Sequence, residues 1–158
     1  MGVEIERKYL VKAEEWKKIK PEKSIRIRQA YLSRDTDKTI RLRIADDKGF
    51  ITVKGPTTGI SRTEFEYEMP VEAVKELMEA FTINPIIKIR HLVTIGNKLW
   101  EVDEFLGENE GLIVAEIELG AEDEAVELPG WIDKEISKDK RYANSNLAGK
   151  PFTTWTIK

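Results

Sequence analysis

Ionisable side chains recur two residues apart along this chain, and they are sorted by sign. Acidic rows are Glu4-x-Glu6 (with Lys8 next in step), Glu64-x-Glu66-x-Glu68, Glu101-x-Asp103 and Glu116-x-Glu118. Basic rows are Arg26-x-Arg28, Arg41-x-Arg43 with Lys54 on the segment that follows, and Lys88-x-Arg90. On a β-strand, residues two apart share a face. A solvated face of an antiparallel sheet would account for any one row, and cross-strand acid–base pairs would add roughly 0.2–1 kcal/mol each. It does not account for the set. These rows contain little Ser, Thr or Gln, and like charges side by side repel. Segregation makes sense when something else occupies the space between the rows.

The residue types say what that could be. Carboxylates are hard oxygen ligands for Mg²⁺ or Mn²⁺. Arginine forks match phosphate oxygens bidentately, and lysine supplies a point charge. Phosphoryl transfer needs mainly positioning and charge neutralisation. If the rows face inward, Lys8, Arg41, Arg43, Lys54, Lys88 and Arg90 oppose Glu4, Glu6, Glu64, Glu66, Asp103, Glu116 and Glu118, leaving one net negative charge. One or two divalent cations would make the balance positive, which suits a polyanion bound together with metal. No glycine-rich phosphate loop of the P-loop type is present.

Composition narrows the options. The 158 residues fit one domain, 1–158. Charged residues make up 35%, above the usual quarter, yet 26 basic and 29 acidic residues leave a net charge of only −3. That balance lacks the basic excess of a general nucleic-acid binder. There is no cysteine and one histidine, His91, so any metal is held by oxygen. No apolar run approaches membrane-spanning length, and charge begins at Glu4, which predicts a soluble, cytoplasmic protein with no membrane partner.

The elements that must position the rows are mostly strands. Period-two alternation predicts strands at 2–12, 24–33, 38–45, 49–55, 62–70, 86–96, 98–105 and 111–119. Turn chemistry marks 34–38, 46–49, Gly96-Asn97 and 107–111. After Pro70, apolar residues at 71, 74, 77, 78 and 81 predict a helix. Short helices are expected at 13–19, 121–126 and 141–148. Sequential hairpins around one helix predict a mainly β (α+β) fold whose antiparallel sheet closes or nearly closes. Trp100 and Trp131 are spaced as packing residues, and His91 falls on the face opposite Lys88 and Arg90.

The series resembles the CYTH, or triphosphate tunnel metalloenzyme, superfamily from residue 3 to about 148. ExExK at Glu4–Lys8 comes first. Arg41-x-Arg43, TVKG with Lys54, Glu64-x-Glu66, Lys88-x-Arg90, WEVDEF with Asp103, AEIEL with Glu116 and Glu118, and SKDKRYANSNLA follow in order. The resemblance implies a closed eight-stranded antiparallel β-barrel with a few flanking helices, a charged tunnel, a triphosphate substrate and a divalent metal. It implies Glu4, Glu6, Glu116 and Glu118 as metal carboxylates, and Glu64, Glu66 and Asp103 as a second acidic group that holds another metal or positions water. Lys8, Arg41, Arg43, Lys54, Lys88 and Arg90 become phosphate ligands, joined near the C-terminus by Lys138 or Lys140. Arg26 and Arg28 are outside the pattern. EIERKYLV with QAYLS is most similar to the short prokaryotic inorganic triphosphatases. The implied activity is Mg²⁺- or Mn²⁺-dependent hydrolysis of inorganic triphosphate by a monomer or homodimer. A class IV-type adenylate cyclase, a nucleoside or thiamine triphosphatase and a non-enzymatic polyphosphate-binding module are the alternatives.

Overall fold

The computed structural model describes residues 2–156. Its strands are β1 (Gly2–Val11), β2 (Lys23–Asp35), β3 (Lys38–Ala45), β4 (Lys48–Lys54), β5 (Ser61–Met69), β6 (Ile86–Ile95), β7 (Lys98–Phe105), β8 (Ile113–Glu118) and β9 (Ile132–Glu135). The helices are α1 (Ala13–Trp16), α2 (Val71–Phe81) and α3 (Asn144–Gly149). All pairings are antiparallel, in the order β5-β4-β3-β2-β6-β7-β8-β1, and β1 pairs back to β5 to close an eight-stranded barrel. The eight predicted strands are those eight, with ends moved by a few residues.

Closure uses both ends of one edge of β1. Gly2–Ile5 pair with β5, while Tyr9 and Val11 pair with the extra strand β9. Between them the amide of Glu6 donates to Ile60 O at 3.4 Å and that of Lys8 donates to Ser137 Oγ at 2.9 Å. Alternation did not reveal β9, since four residues with one apolar member carry no period.

Three apolar clusters hold the barrel. On the outer wall of β1, β6, β7 and β8, Tyr9, Val93, Trp100, Val102, Ala115 and Ile117 are covered by Trp16, Trp131 and Ile132. Trp100 and Trp131 meet edge to face at 5.7 Å, and Trp16 meets Trp131 at 5.1 Å, so these rings pack as expected. On the outer wall of β2, β3 and β4, Ala30, Leu42 and Ile44 are covered by Val74 and Met78 of α2. Each of those two helix side chains stabilises by about 1.5–3 kcal/mol on full burial. Gly49 lets α2 come close: a Cβ there would lie 2.7 Å from Val74 Cγ2.

The third cluster lies inside one end of the barrel. The inward rows of β1, β6, β7 and β8 turn apolar there: Lys8 is followed by Leu10 and Asp103 by Phe105, while Ile86 precedes Lys88 and Val114 precedes Glu116. Leu147, Tyr142, Ile136 and Trp155 from the C-terminal segment pack into them. The charged lumen is therefore plugged at this end.

The helix expected at 121–126 does not form. Its carboxylates serve the loop instead. Glu124 Oε1 accepts from Gly120 N at 2.7 Å and pairs with Lys98, and Glu122 Oε1 accepts from Ile60 N at 3.2 Å. Such side-chain bonds to backbone compete with helix. The helix expected at 13–19 shortens to α1, and 141–148 resolves into a 3-10 turn, Lys140–Tyr142, followed by α3. Among the described residues, no helix is long and apolar enough to cross a membrane.

Candidate active site

Inside the barrel lies a cavity of about 290 Å³. Seven bases line it: Lys8, Arg41, Arg43, Lys54, Arg62, Lys88 and Arg90. Seven acids face them: Glu4, Glu6, Glu64, Glu66, Glu101, Glu116 and Glu118, with Tyr31, Thr39 and Asn144 as neutral members. The alternation that drives apolar residues to the outer cores drives these side chains inward.

On the β3–β4–β5 wall, the Arg41 and Arg43 forks lie over Glu66, at 3.6 and 3.3 Å. Thr52 Oγ1 donates to Glu66 Oε2 at 2.8 Å. Lys54 Nζ reaches Glu4 at 3.0 Å and Glu64 at 3.6 Å. The Nε atoms of Arg41 and Arg43 are buried without a hydrogen-bond partner. A buried donor with no acceptor costs about 1–3 kcal/mol, more when charged. An anion between these forks would supply the missing acceptors. Burial, then neighbouring Arg41, pulls Arg43 down to about 10.

The opposite wall is built on Asp103, which is fully buried. Its Oδ2 accepts from Lys88 Nζ at 2.7 Å and Arg90 Nη2 at 2.9 Å, and its Oδ1 accepts from Arg90 Nε at 2.8 Å. Burial alone would raise this carboxyl, but Arg90 and Lys88 hold it well below the carboxylate range. Lys88 is pushed down to about 8 by burial, an effect Asp103 only partly offsets. Lys88 Nζ also donates to Asn144 Oδ1 at 3.0 Å. Asn144 thus ties the start of α3 to the lumen.

The strand register sets carboxylates against carboxylates in one zone. Glu6 lies opposite Glu118, and Glu101 opposite Glu116. Like charges directly opposite are destabilising. Burial, then Glu116, raises the Glu6 carboxyl to about 8. Lys8 lies 3.6 Å from Glu6 and 3.8 Å from Glu116. Next to this zone, burial and a hydrogen bond with Glu4 raise Glu64 to about 7. In Glu4, burial is outweighed by that bond and by Lys54, which bring it down to about 2. One proton shared by the pair explains the opposite directions. Among the described residues, no three Asp, Glu or His side chains gather closely enough to enclose one ion. The donor chemistry nevertheless fits a hard divalent cation: crowded carboxylates, one held protonated near neutrality, gain most from a positive charge beside them.

Residues 2–147 match the sequence model of the CYTH domain. The chain belongs to the CYTH domain family. Family membership implies a divalent metal cofactor. A curated relative from Acetivibrio thermocellus, an inorganic triphosphatase, is 47% identical over 153 residues, 96% of this chain and 97% of the relative. Another inorganic triphosphatase, from Nitrosomonas europaea, is 34% identical over 92% of this chain and 96% of its own length. The crystal structure of an inorganic triphosphatase superposes with a TM-score of 0.64 at 30% identity, covering 91% of this chain and 96% of that one.

In this CYTH domain, all the sequence-predicted site residues except Asp103 and Lys138 line the lumen cavity. Asp103 shares the inward face of β7 with Glu101 but lies buried beneath Lys88 and Arg90, the two bases it bonds, which do line the cavity. Lys138 and Lys140 are exposed and border an adjoining cavity of about 250 Å³, which shares Glu4, Glu6, Lys8 and Arg62 with the lumen. That cavity lies where β1 changes partner from β5 to β9. Arg26 and Arg28 are exposed. Arg62, Thr39 and Tyr31 also line the lumen and were not singled out by sequence. Arg62 stands in step with Glu64 and Glu66, and Thr39 with Arg41, so parity could have found both. Asn144 sits on a short helix after an irregular segment, where no period points.

Proposed function

We propose that this chain hydrolyses inorganic triphosphate to pyrophosphate and phosphate inside the barrel, with Mg²⁺ or Mn²⁺ as cofactor. The observation that carries this reading is the pair of arginine forks, Arg41 and Arg43, buried in a charged lumen with Nε donors that lack acceptors. The relatives named above, alike along nearly the whole chain, support it. So does the lumen's poverty in aromatic surface: among its described lining residues, only Tyr31 offers a ring. Trp100, Trp131 and Trp155 are all buried elsewhere. An unadorned phosphate chain needs no stacking partner.

Each residue then has a role. Arg41, Arg43, Lys54 and Lys8 grip phosphate oxygens on one side, and Lys88 and Arg90 do so on the other. Lys138 stands at the adjoining cavity, within the reach of a chain that extends there. Asp103 fixes the positions of Lys88 and Arg90. Glu4, Glu6, Glu116 and Glu118 would hold the metal, which when bound neutralises phosphate charge and lowers the pKa of an attacking water. Glu64 and Glu66 orient that water toward a terminal phosphorus, and the bridging oxygen leaves on pyrophosphate.

Phosphate release from tripolyphosphate, ATP and thiamine triphosphate, each with Mg²⁺, Mn²⁺ or chelator, tests this reading. Tripolyphosphate should be cleaved fastest, and only with metal. Equal or faster cleavage of ATP would refute the substrate assignment, as would cyclic AMP among the products. Full activity in Glu6→Gln would refute the metal assignment.

A further inference from the structure

A further cavity, of about 570 Å³, lies outside the barrel against α3 and the C-terminal segment. Its charged lining is basic only: Arg34, Lys140, Arg141 and Lys150. Arg141 is ion-paired with Asp139 at 2.8 Å and lies against the Trp155 ring, 5.0 Å from its centroid. Arg34, Lys140 and Lys150 have no carboxylate partner among the described residues, so the cavity carries a net charge of about three positive units. The lumen differs: its seven bases are balanced by seven acids, with Asp103 behind them.

The position of Arg34 depends on a missing side chain. At Gly149, a Cβ would overlap Arg34 Nη1. The guanidinium lies across the end of α3, where Nη1 donates to Ser145 O at 3.4 Å. Gly149 does not have a positive φ, so what its missing Cβ provides is the space in which Arg34 lies. An arginine fork beside two lysines without carboxylate partners matches an oxyanion with several oxygens.

We propose that this cavity is a second anion site, taking an inorganic phosphate-type oxyanion such as pyrophosphate. The choice of pyrophosphate, the product of the proposed reaction, rests on that reading, whereas the charge of the site does not. The same helix borders both the outer cavity and the lumen. Asn146 and Gly149 of α3 line the outer cavity, and Asn144 of the same helix accepts from Lys88 inside the barrel.

Calorimetric titration of the whole chain with pyrophosphate in metal-free buffer tests the proposal. Saturable binding is expected at about one per chain. It should weaken by on the order of tenfold or more in Arg34→Glu/Lys150→Glu, which reverses two of the charges lining the cavity. Gly149→Leu, which displaces Arg34 without changing charge, should weaken it too, while circular dichroism reports that the barrel is intact. Arg41→Ala/Arg43→Ala should leave this binding in place. No saturable binding, binding unchanged in the outer variants, or binding abolished by the lumen pair would each overturn the proposal. Because no turnover is read, failure here is distinct from failure to cleave tripolyphosphate.

Discussion

Asp103 and Glu6 mark the two electrostatic extremes of the site. Asp103 is the shared acceptor for two buried cations, Lys88 and Arg90. In Asp103→Asn those cations lose their counter-charge. Removing one partner of a buried pair costs about 3–5 kcal/mol, so the variant should unfold at clearly lower urea than the parent and lose activity. Because its pKa is depressed, the stability Asp103 contributes is present above the carboxylate range and lost only in strong acid. Glu6 behaves oppositely. Its folded-state value is raised to about 8 from an ordinary 4.5, so its contribution is complete below the ordinary value and disappears as pH rises through 8. Metal-free protein should therefore melt at progressively lower temperature between pH 6 and 9. Glu6→Gln should flatten that slope, and a divalent cation should reverse it. A slope unchanged in Glu6→Gln would show that the proton sits elsewhere.

At the level of elements, α3 is a short helix with an outsized effect, because it joins three structures. Leu147 is fully buried in the plug, Asn144 bonds to Lys88 in the lumen, and Gly149 makes room for Arg34. Leu147→Ala removes a buried side chain from a site hemmed in by Tyr142, Trp155 and the barrel end, so a loss of about 2–5 kcal/mol is expected in chemical denaturation. Phe81→Ala is the control, since Phe81 at the end of α2 is 69% exposed. It should change stability by less than about 0.5 kcal/mol. Sequence period located α2 because one apolar stripe meets one wall. The short helix expected at 141–148 is realised as a 3-10 turn and α3, whereas the one expected at 121–126 is unmade by tertiary bonds from Glu122 and Glu124.

For the whole molecule, the barrel brings residues from all eight of its strands around one small cavity, so ligand and fold stabilise each other. Tripolyphosphate together with a divalent cation, at about one hundred times its dissociation constant, should add about 2.7 kcal/mol. For a chain of this size that raises the melting temperature by roughly 5–10 °C. Either component alone should do much less, because an anion meets seven lumen carboxylates and a cation meets seven bases. A full shift with tripolyphosphate in chelator would contradict the role of the acids. The sequence by itself determined which residues face inward. Side-chain parity on a strand is local, so Glu4, Arg41, Glu64, Lys88 and Glu116 declare their face without reference to any neighbour. What only the tertiary structure decided is which of them oppose one another. Register and closure set Glu6 against Glu118, hid Asp103 behind Lys88 and Arg90, and gathered the apolar ends of four rows under the C-terminal segment. Those facts come from strand pairing between distant segments and from a C-terminal cap, where no period in the chain can record them.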